Sequence, residues 1–137
     1  MQNGKQLADN ELTETRALPN GAAAVTGAAI DLGNSVNGDF VANVEAKIIA
    51  PALVVGDLAN GDTMVYDLIT SASSNLGTPT TLVAAAITQT GAAGAGAATD
   101  TWQGKLPNDV LRYIGLRATN DGAGDASDKS ATLQLLF

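Results

Sequence analysis

The sequence predicts an all-β fold, an antiparallel β-sandwich of jelly-roll-like form with an extended polar N-terminal arm. Three observations predict it. Short runs of alternating apolar and polar residues recur from Gly21 to the C-terminus. Clusters of Gly, Asn, Asp and Pro separate these runs at the spacing of turns in a sandwich. After the arm, no segment shows the apolar period of an amphipathic helix. The Ala-rich runs favour helix by propensity alone, but their Gly, Thr and Val content and short length favour strand. The 137 residues fit an arm over 1–20 and one β-domain over 21–137.

Residues 1–20 set Leu7, Leu12 and Leu18 among Gln, Asn, Asp, Glu, Thr and Arg. So polar a segment does not pack well by itself. It reads as an arm, either disordered or ordered only against a partner such as a sister subunit, with Leu7, Leu12 and Leu18 as the contact residues. A first strand or short helix of the domain is the alternative. Ala23 to Leu32 then alternates weakly and stops at Gly33-Asn34. Val36 to Asp39 is a turn with an Asn-Gly hairpin cue. Phe40 to Ile49 is the clearest strand, with Val44, Ala46 and Ile48 on one face and Asn43, Glu45 and Lys47 on the other. Pro51 ends it. Leu53-Val54-Val55 leads into a turn-rich loop from Gly56 to Asp62.

Thr63 to Thr70 alternates Met64, Tyr66 and Leu68 against Val65, Asp67 and Ile69. Ser71 to Pro79 reads as a loop and Thr81 to Thr88 as a β-branched strand. Gly91 to Ala98, all Gly and Ala, offers no contact larger than a methyl group and reads as a flexible loop. Thr99 to Leu106 centres on Trp102. Leu111 to Thr119 places Ile114, Leu116 and Ala118 inward and Tyr113, Gly115 and Arg117 outward. Asn120 to Lys129 is an acidic turn, and Ser130 to Phe137 a last strand with Leu133, Leu135 and Phe137 on one face.

Composition narrows the function. The chain has no His and no Cys. It therefore lacks the side chain that titrates near neutral pH, and it lacks thiolate chemistry, thiolate metal sites and disulfides. Its net charge of −7 comes from 14 acidic and 7 basic residues. No Lys/Arg cluster offers itself to phosphate, which argues against nucleic acid and against an anionic membrane surface. No apolar run reaches the ~18–20 residues of a membrane-spanning helix. The start lacks the plan of a signal peptide, so synthesis in a cytosol is expected. Alanine supplies much of the apolar content, which makes a thin core, so a homo-oligomer or another assembly is expected to add stability.

The chemical motifs weigh towards bland readings. The Asp121–Asp128 loop and the trio Asp57, Asn60 and Asp62 offer oxygen ligands for Ca²⁺, but neither has EF-hand spacing, and solvated loops fit better. Glu45 and Asp67 are both strand carboxylates, and nothing in the sequence places them together as a glycosidase pair needs. Gly91 to Gly96 holds Gly-x-x-Gly-x-Gly without the Lys and helix of a phosphate loop. Tyr66, Trp102 and Tyr113 suit packing better than a sugar-stacking platform. No catalytic residue, metal site or cofactor is expected, and the chain does not read as an enzyme.

Two segments then stand out together. Ala24-Val25-Thr26-Gly27-Ala28-Ala29-Ile30-Asp31-Leu32-Gly33 opens the β region. Leu106-Pro107 followed by Leu111-Arg112-Tyr113-Ile114-Gly115-Leu116-Arg117 comes near its end. Between them, Asp67-Leu68-Ile69-Thr70-Ser71 leads through a Ser/Asn loop to Thr80-Thr81-Leu82. In this order the chain resembles the capsid cement (decoration) proteins of tailed bacteriophages, of the jelly-roll-like type. The resemblance implies a β-sandwich on the outside of a phage head that binds the major capsid protein and staples neighbouring capsomers. It implies a place on the virion exterior after synthesis in the host cytoplasm, and no enzymatic residues. The polar arm and the Gly/Ala loop depart from the family's pattern. A carbohydrate-binding or adhesin-type β-sandwich is the alternative reading.

Overall fold

The computed structural model describes residues 8–33 and 44–136. Its elements are β1 (Ala8–Ala17), β2 (Ala23–Thr26), β3 (Ile30–Asp31), β4 (Glu45–Ala50), β5 (Thr63–Ser71), β6 (Thr80–Thr90), β7 (Asp100–Lys105), β8 (Tyr113–Asn120) and β9 (Ser130–Leu136). No helix occurs among the described residues. The strands form two antiparallel sheets, β1-β9-β4-β7 and β2-β8-β5-β6, with β3 also paired to β8.

β2 and β3 are one strand broken in the middle. Thr26 pairs with Arg117 and Ile30 with Ile114, and between them the Gly27 N–H donates to the Leu116 carbonyl at 2.9 Å. Counted so, the ladder partners nest: β1 with β9, β2/β3 with β8, β4 with β7, β5 with β6. This is the pairing of one long hairpin wrapped on itself, the jelly-roll order. The expected all-β sandwich is therefore the fold.

Strand parity sets the core. Leu133 and Leu135 of β9, Ala46 and Ile48 of β4, Ile114 and Leu116 of β8, and Met64, Tyr66 and Leu68 of β5 are all buried. They belong to the central strands of the two sheets, and they form one apolar cluster with Val44, just before β4. Alternate residues point to opposite faces of a strand, so the inward sets read from the sequence at Val44/Ala46/Ile48 and Ile114/Leu116/Ala118 are the buried ones. The expectations for Val36 to Asp39, Phe40, Asn43 and Phe137 fall outside the described residues.

For its described part, residues 8–20, the structure corrects the arm expected over residues 1–20. From Thr13 to Ala17, β1 pairs residue by residue with Gln134 to Ser130 of β9, forming the edge of the first sheet. Leu12 packs against the core and Leu18 lies inside it at 2 % exposure. The Leu18 N–H donates to the Lys129 carbonyl at 2.9 Å. Leu12 and Leu18 are thus anchored within their own domain; Leu7 falls outside the described residues. The alternation was hidden because two positions of inward parity, 14 and 16, carry charges. Both side chains pack over Gly27 at the sandwich's open side, where Glu14 Oε1 accepts the Ala28 N–H at 3.1 Å.

A second departure from simple alternation lies on the outside of the second sheet. Ile69 has outward parity, yet it is fully buried. The β5–β6 loop folds back here: Leu76, left-handed at φ 54°, seats on Gly115, the register partner of Ile69. The Ser71 hydroxyl fastens the loop by donating to the Gly77 carbonyl at 2.7 Å. A side chain at position 115 would collide with Leu76.

Leu18→Ala is expected to cost about 2–5 kcal/mol in urea unfolding, as a buried large-to-small change does. A loss under about 0.5 kcal/mol, the surface range, would return residues 1–20 to the status of an arm.

Candidate functional site

The loops after β1, β4, β6 and β8 converge at one end of the sandwich and are knitted by backbone hydrogen bonds. Leu53 and Ala97 exchange two at 2.8 Å; Gly61 donates to Gly91 at 2.9 Å, and Gly91 to Asp62 at 2.9 Å. Asp125 donates to Gly56 at 3.2 Å, and Ala126 to Pro19 at 3.1 Å. The Gly91 to Ala98 segment is therefore a tight, docked turn, not the flexible loop expected from its composition. Two of its glycines are needed for close approach. A Cβ at Gly91 would strike the Ala59 carbonyl, and one at Gly96, whose φ is 65°, would strike the Leu53 carbonyl. In the Gly-x-x-Gly-x-Gly run the first and last glycines pack against a neighbouring loop, and Gly94, at φ 71°, allows the turn between them.

The same end displays Val54 and Val55, which are 57 % and 47 % exposed. Asp57 fixes the turn that presents them. Its Oδ2 accepts the Val54 N–H at 2.9 Å, and the Val54 carbonyl accepts from the N–H groups of Asp57 and Leu58 at 3.0 Å each. Leu53 and Leu58, both buried, hold the turn from beneath. Ala52, Ala92, Ala93, Ala95 and Ala98 are exposed on the two loops. No charged residue occurs between Asp67 and Asp100, so the Gly/Ala loop brings none to this end. The two loops thus present an apolar patch of small side chains around two valines, with Asp57 buried behind it and the acidic loop after β8 beside it.

A buried carboxamide holds the tip in place. Gln89 of β6 accepts the Tyr66 hydroxyl at 2.8 Å and donates at 2.8 Å to both the Pro51 and the Ala98 carbonyls. It ties the core tyrosine to both apolar loops. Burial pushes the Tyr66 phenol well above its ordinary range. Sequence reasoning missed Gln89, although its position two residues after Ile87 gives it the same inward parity.

The other candidate groups are not brought together. Glu45 and Asp67 sit on different sheets. Glu45 Oε2 accepts from Gln103 Nε2 at 2.6 Å, while Asp67 binds Arg117 at 2.7 Å and the Ala85 N–H at 2.8 Å. Tyr66 is inside the core, Trp102 packs against the cluster, and Tyr113 lies under the Arg112 guanidinium at 5.1 Å from ring centre. In the acidic loop, Asp121 is engaged by the Thr63 N–H and hydroxyl, which hold its carboxyl below the usual range. Asp125 is held down first by the Ser127 hydroxyl and then by its N–H. Among the described residues, no group of three or more acidic side chains is arranged to hold a metal ion. The outer face of the first sheet carries a mixed polar row, Thr13, Gln134, Lys47 and Gln103.

The segments that carry the sequence resemblance fall on one sheet. Ala24 to Gly33 supplies β2 and β3, Leu106 to Arg117 leads into β8, and Asp67 to Leu82 spans the β5–β6 hairpin. At the far end from the apolar tip, Asp31 and Arg112 join with two 2.8 Å contacts. No family model matches the chain, and no curated protein matches its sequence.

Gln89→Ala is expected to leave the buried Tyr66 hydroxyl and two carbonyls without partners. The cost is about 1–3 kcal/mol for each group that water does not reach. Denaturant unfolding measures this, and hydrogen exchange should quicken in residues 51–56 and 91–98 before the central strands.

A pH titration of stability tests the Asp31–Arg112 contact. The guanidinium, through its hydrogen bonds, is the main cause that lowers the Asp31 carboxyl from 3.8 to about 2. A depressed acid stabilises the fold above its unfolded value and loses that effect as pH falls through its folded value. The stability gap between wild type and Asp31→Asn should hold above about pH 4 and close towards pH 2.

Proposed function

We propose that this chain is a structural virion protein that binds the outer surface of a tailed-phage capsid and cements neighbouring major capsid proteins. The observation that carries the reading is the tip: Val54 and Val55, exposed side by side on a hydrogen-bonded turn within an apolar patch. Adjacent large apolar side chains held outward by a fixed turn suit a contact with another protein surface. The turn is ordered beforehand, so little conformational entropy is lost on docking. The jelly-roll order and the concentration of the resembling segments on one sheet support the same reading.

The mechanism needs no chemistry. A protein that binds only the assembled lattice stabilises it by mass action, and it does so at each occupied site. The net charge of −7 keeps free copies soluble while the apolar patch around the valines makes the contact.

The test is co-sedimentation with purified heads stripped of their own decoration protein. Wild type should pellet with the heads, and the Val54→Asp/Val55→Asp double variant should not. Both positions are exposed, so the variant should keep its melting temperature to within the effect of surface changes, about 0.5 kcal/mol each. Wild type left in the supernatant at saturating heads, or equal binding by the variant, would count against the proposal.

A further inference from the structure

Asn-Gly occurs at Asn3-Gly4, Asn20-Gly21, Asn37-Gly38 and Asn60-Gly61. In this dipeptide the asparagine side chain is most open to attack by the next backbone nitrogen, because glycine has no side chain to hinder the approach. The first and third pairs lie outside the described residues. Asn20 and Asn60 are exposed, and each precedes a left-handed glycine, at φ 71° and 88°. Each glycine also donates its N–H to another loop, Gly21 to the Gly124 carbonyl and Gly61 to the Gly91 carbonyl, both at 2.9 Å.

The grip around Asn60 is the more complete, because Gly91 meets Ala59, Gly61 and Asp62. Its carbonyl accepts from Gly61, and its N–H donates to the Asp62 carbonyl at 2.9 Å. Its Cα lies so near the Ala59 carbonyl that a Cβ would collide. The Asp62 N–H closes the turn by donating to the Ala59 carbonyl at 3.1 Å. The planar peptide unit that would have to swing towards the Asn60 side chain is therefore held from both sides.

We infer that Asn60 is a site of spontaneous covalent modification that the Gly91 contact holds shut, and that conversion to isoaspartate keeps this contact from re-forming. In the first step the Gly61 nitrogen bonds to Asn60 Cγ and the bond from Cγ to Nδ2 breaks. Ammonia leaves with the proton that Gly61 gives up. Water then adds to either carbonyl of the five-membered succinimide ring and reopens it. The product at position 60 is aspartate, or isoaspartate with the main chain running through the former side chain. The attacking nitrogen must first shed the proton that the Gly91 carbonyl engages. The reaction thus needs the same local opening that amide hydrogen exchange needs. The ring leaves Gly61 with no N–H to donate. Isoaspartate puts an extra carbon between Ala59 and Gly61, so Gly91 no longer fits both. Either product adds a carboxylate beside Asp62. The outcome is a one-way loosening of the two loops that form the tip, and it does not rest on the capsid reading.

The test incubates the folded full-length chain at mildly alkaline pH and follows Asn60 and Asn20 by peptide mass spectrometry, with the urea-unfolded chain as reference. Asn60 should convert at least about tenfold more slowly in the folded chain, a factor that two ordinary hydrogen bonds support. Gly91→Ala forces the Ala59 carbonyl away. It should speed Asn60 by about fivefold to thirtyfold, as a modest loss of local stability implies, while Asn20, held by Gly124, keeps its rate. Should Gly91→Ala unfold the domain, both sites would quicken together, and Gly94→Ala then decides. A Cβ at Gly94 meets nothing and strains only the φ of 71°, so the domain stays folded and Asn60 alone should quicken about fivefold. In wild type, the isoaspartate fraction, separated by charge, should exchange amide hydrogens faster over residues 91–98 than the unmodified chain. Equal conversion of Asn60 in folded and unfolded chains, a rate at Asn60 unmoved by both variants, or full protection in the isoaspartate fraction would overturn the inference.

Discussion

Gln89 is a buried polar side chain with three hydrogen bonds inside the protein, a buried one to Tyr66 and part-buried ones to the Pro51 and Ala98 carbonyls. A buried carboxamide is tolerated only when it is satisfied, and it is costly to disturb for the same reason. Because its partners are the core tyrosine and the carbonyls of two different loops, the position of the apolar tip follows from the packing of the sandwich. The loops cannot move apart without leaving Pro51 or Ala98 unpaired. The Asp57 turn then fixes which side chains those loops present. A patch held so firmly is a surface of defined shape, which is what a docking contact needs.

The rest of the molecule explains why so thin a core suffices. Large side chains are concentrated in the central strands, β9 and β4 facing β8 and β5. The margins are closed by small-residue fits. Glu14 and Arg16 lie over Gly27, Leu76 over Gly115, and the Gly/Ala turn over Leu53 and Ala59. Each fit lets backbone come close to backbone or to a side chain, so packing is gained without bulky residues. The Ala- and Gly-rich composition is therefore spent on the margins and the tip.

Much of this fold was legible as alternation, because period two survives wherever one face is buried and the other wet. Val44/Ala46/Ile48 and Ile114/Leu116/Ala118 are such cases. The reading failed where another requirement overrode hydropathy. In β1 the inward positions 14 and 16 are charged because they close an open side, so a strand read as an arm. In β5 the outward Ile69 is buried because a distant loop returns over it. Gly91 to Ala98 looked mobile because composition does not reveal which backbone a glycine lies against. The tip was the least legible part. Val54 and Val55 read as the tail of an apolar run, and their exposure depends on Asp57 and on contacts with residues forty positions away.

The central claim is that one end of the sandwich, the end bearing Val54 and Val55, meets the capsid. Electron cryomicroscopy of heads saturated with this protein tests it most directly. The account predicts density in which the loops at 51–56 and 91–98 touch the capsid surface while the Asp31–Arg112 end points outward. Heads that stay bare at saturation, or a contact made by the opposite end or by a sheet face with the valines in solvent, would contradict it.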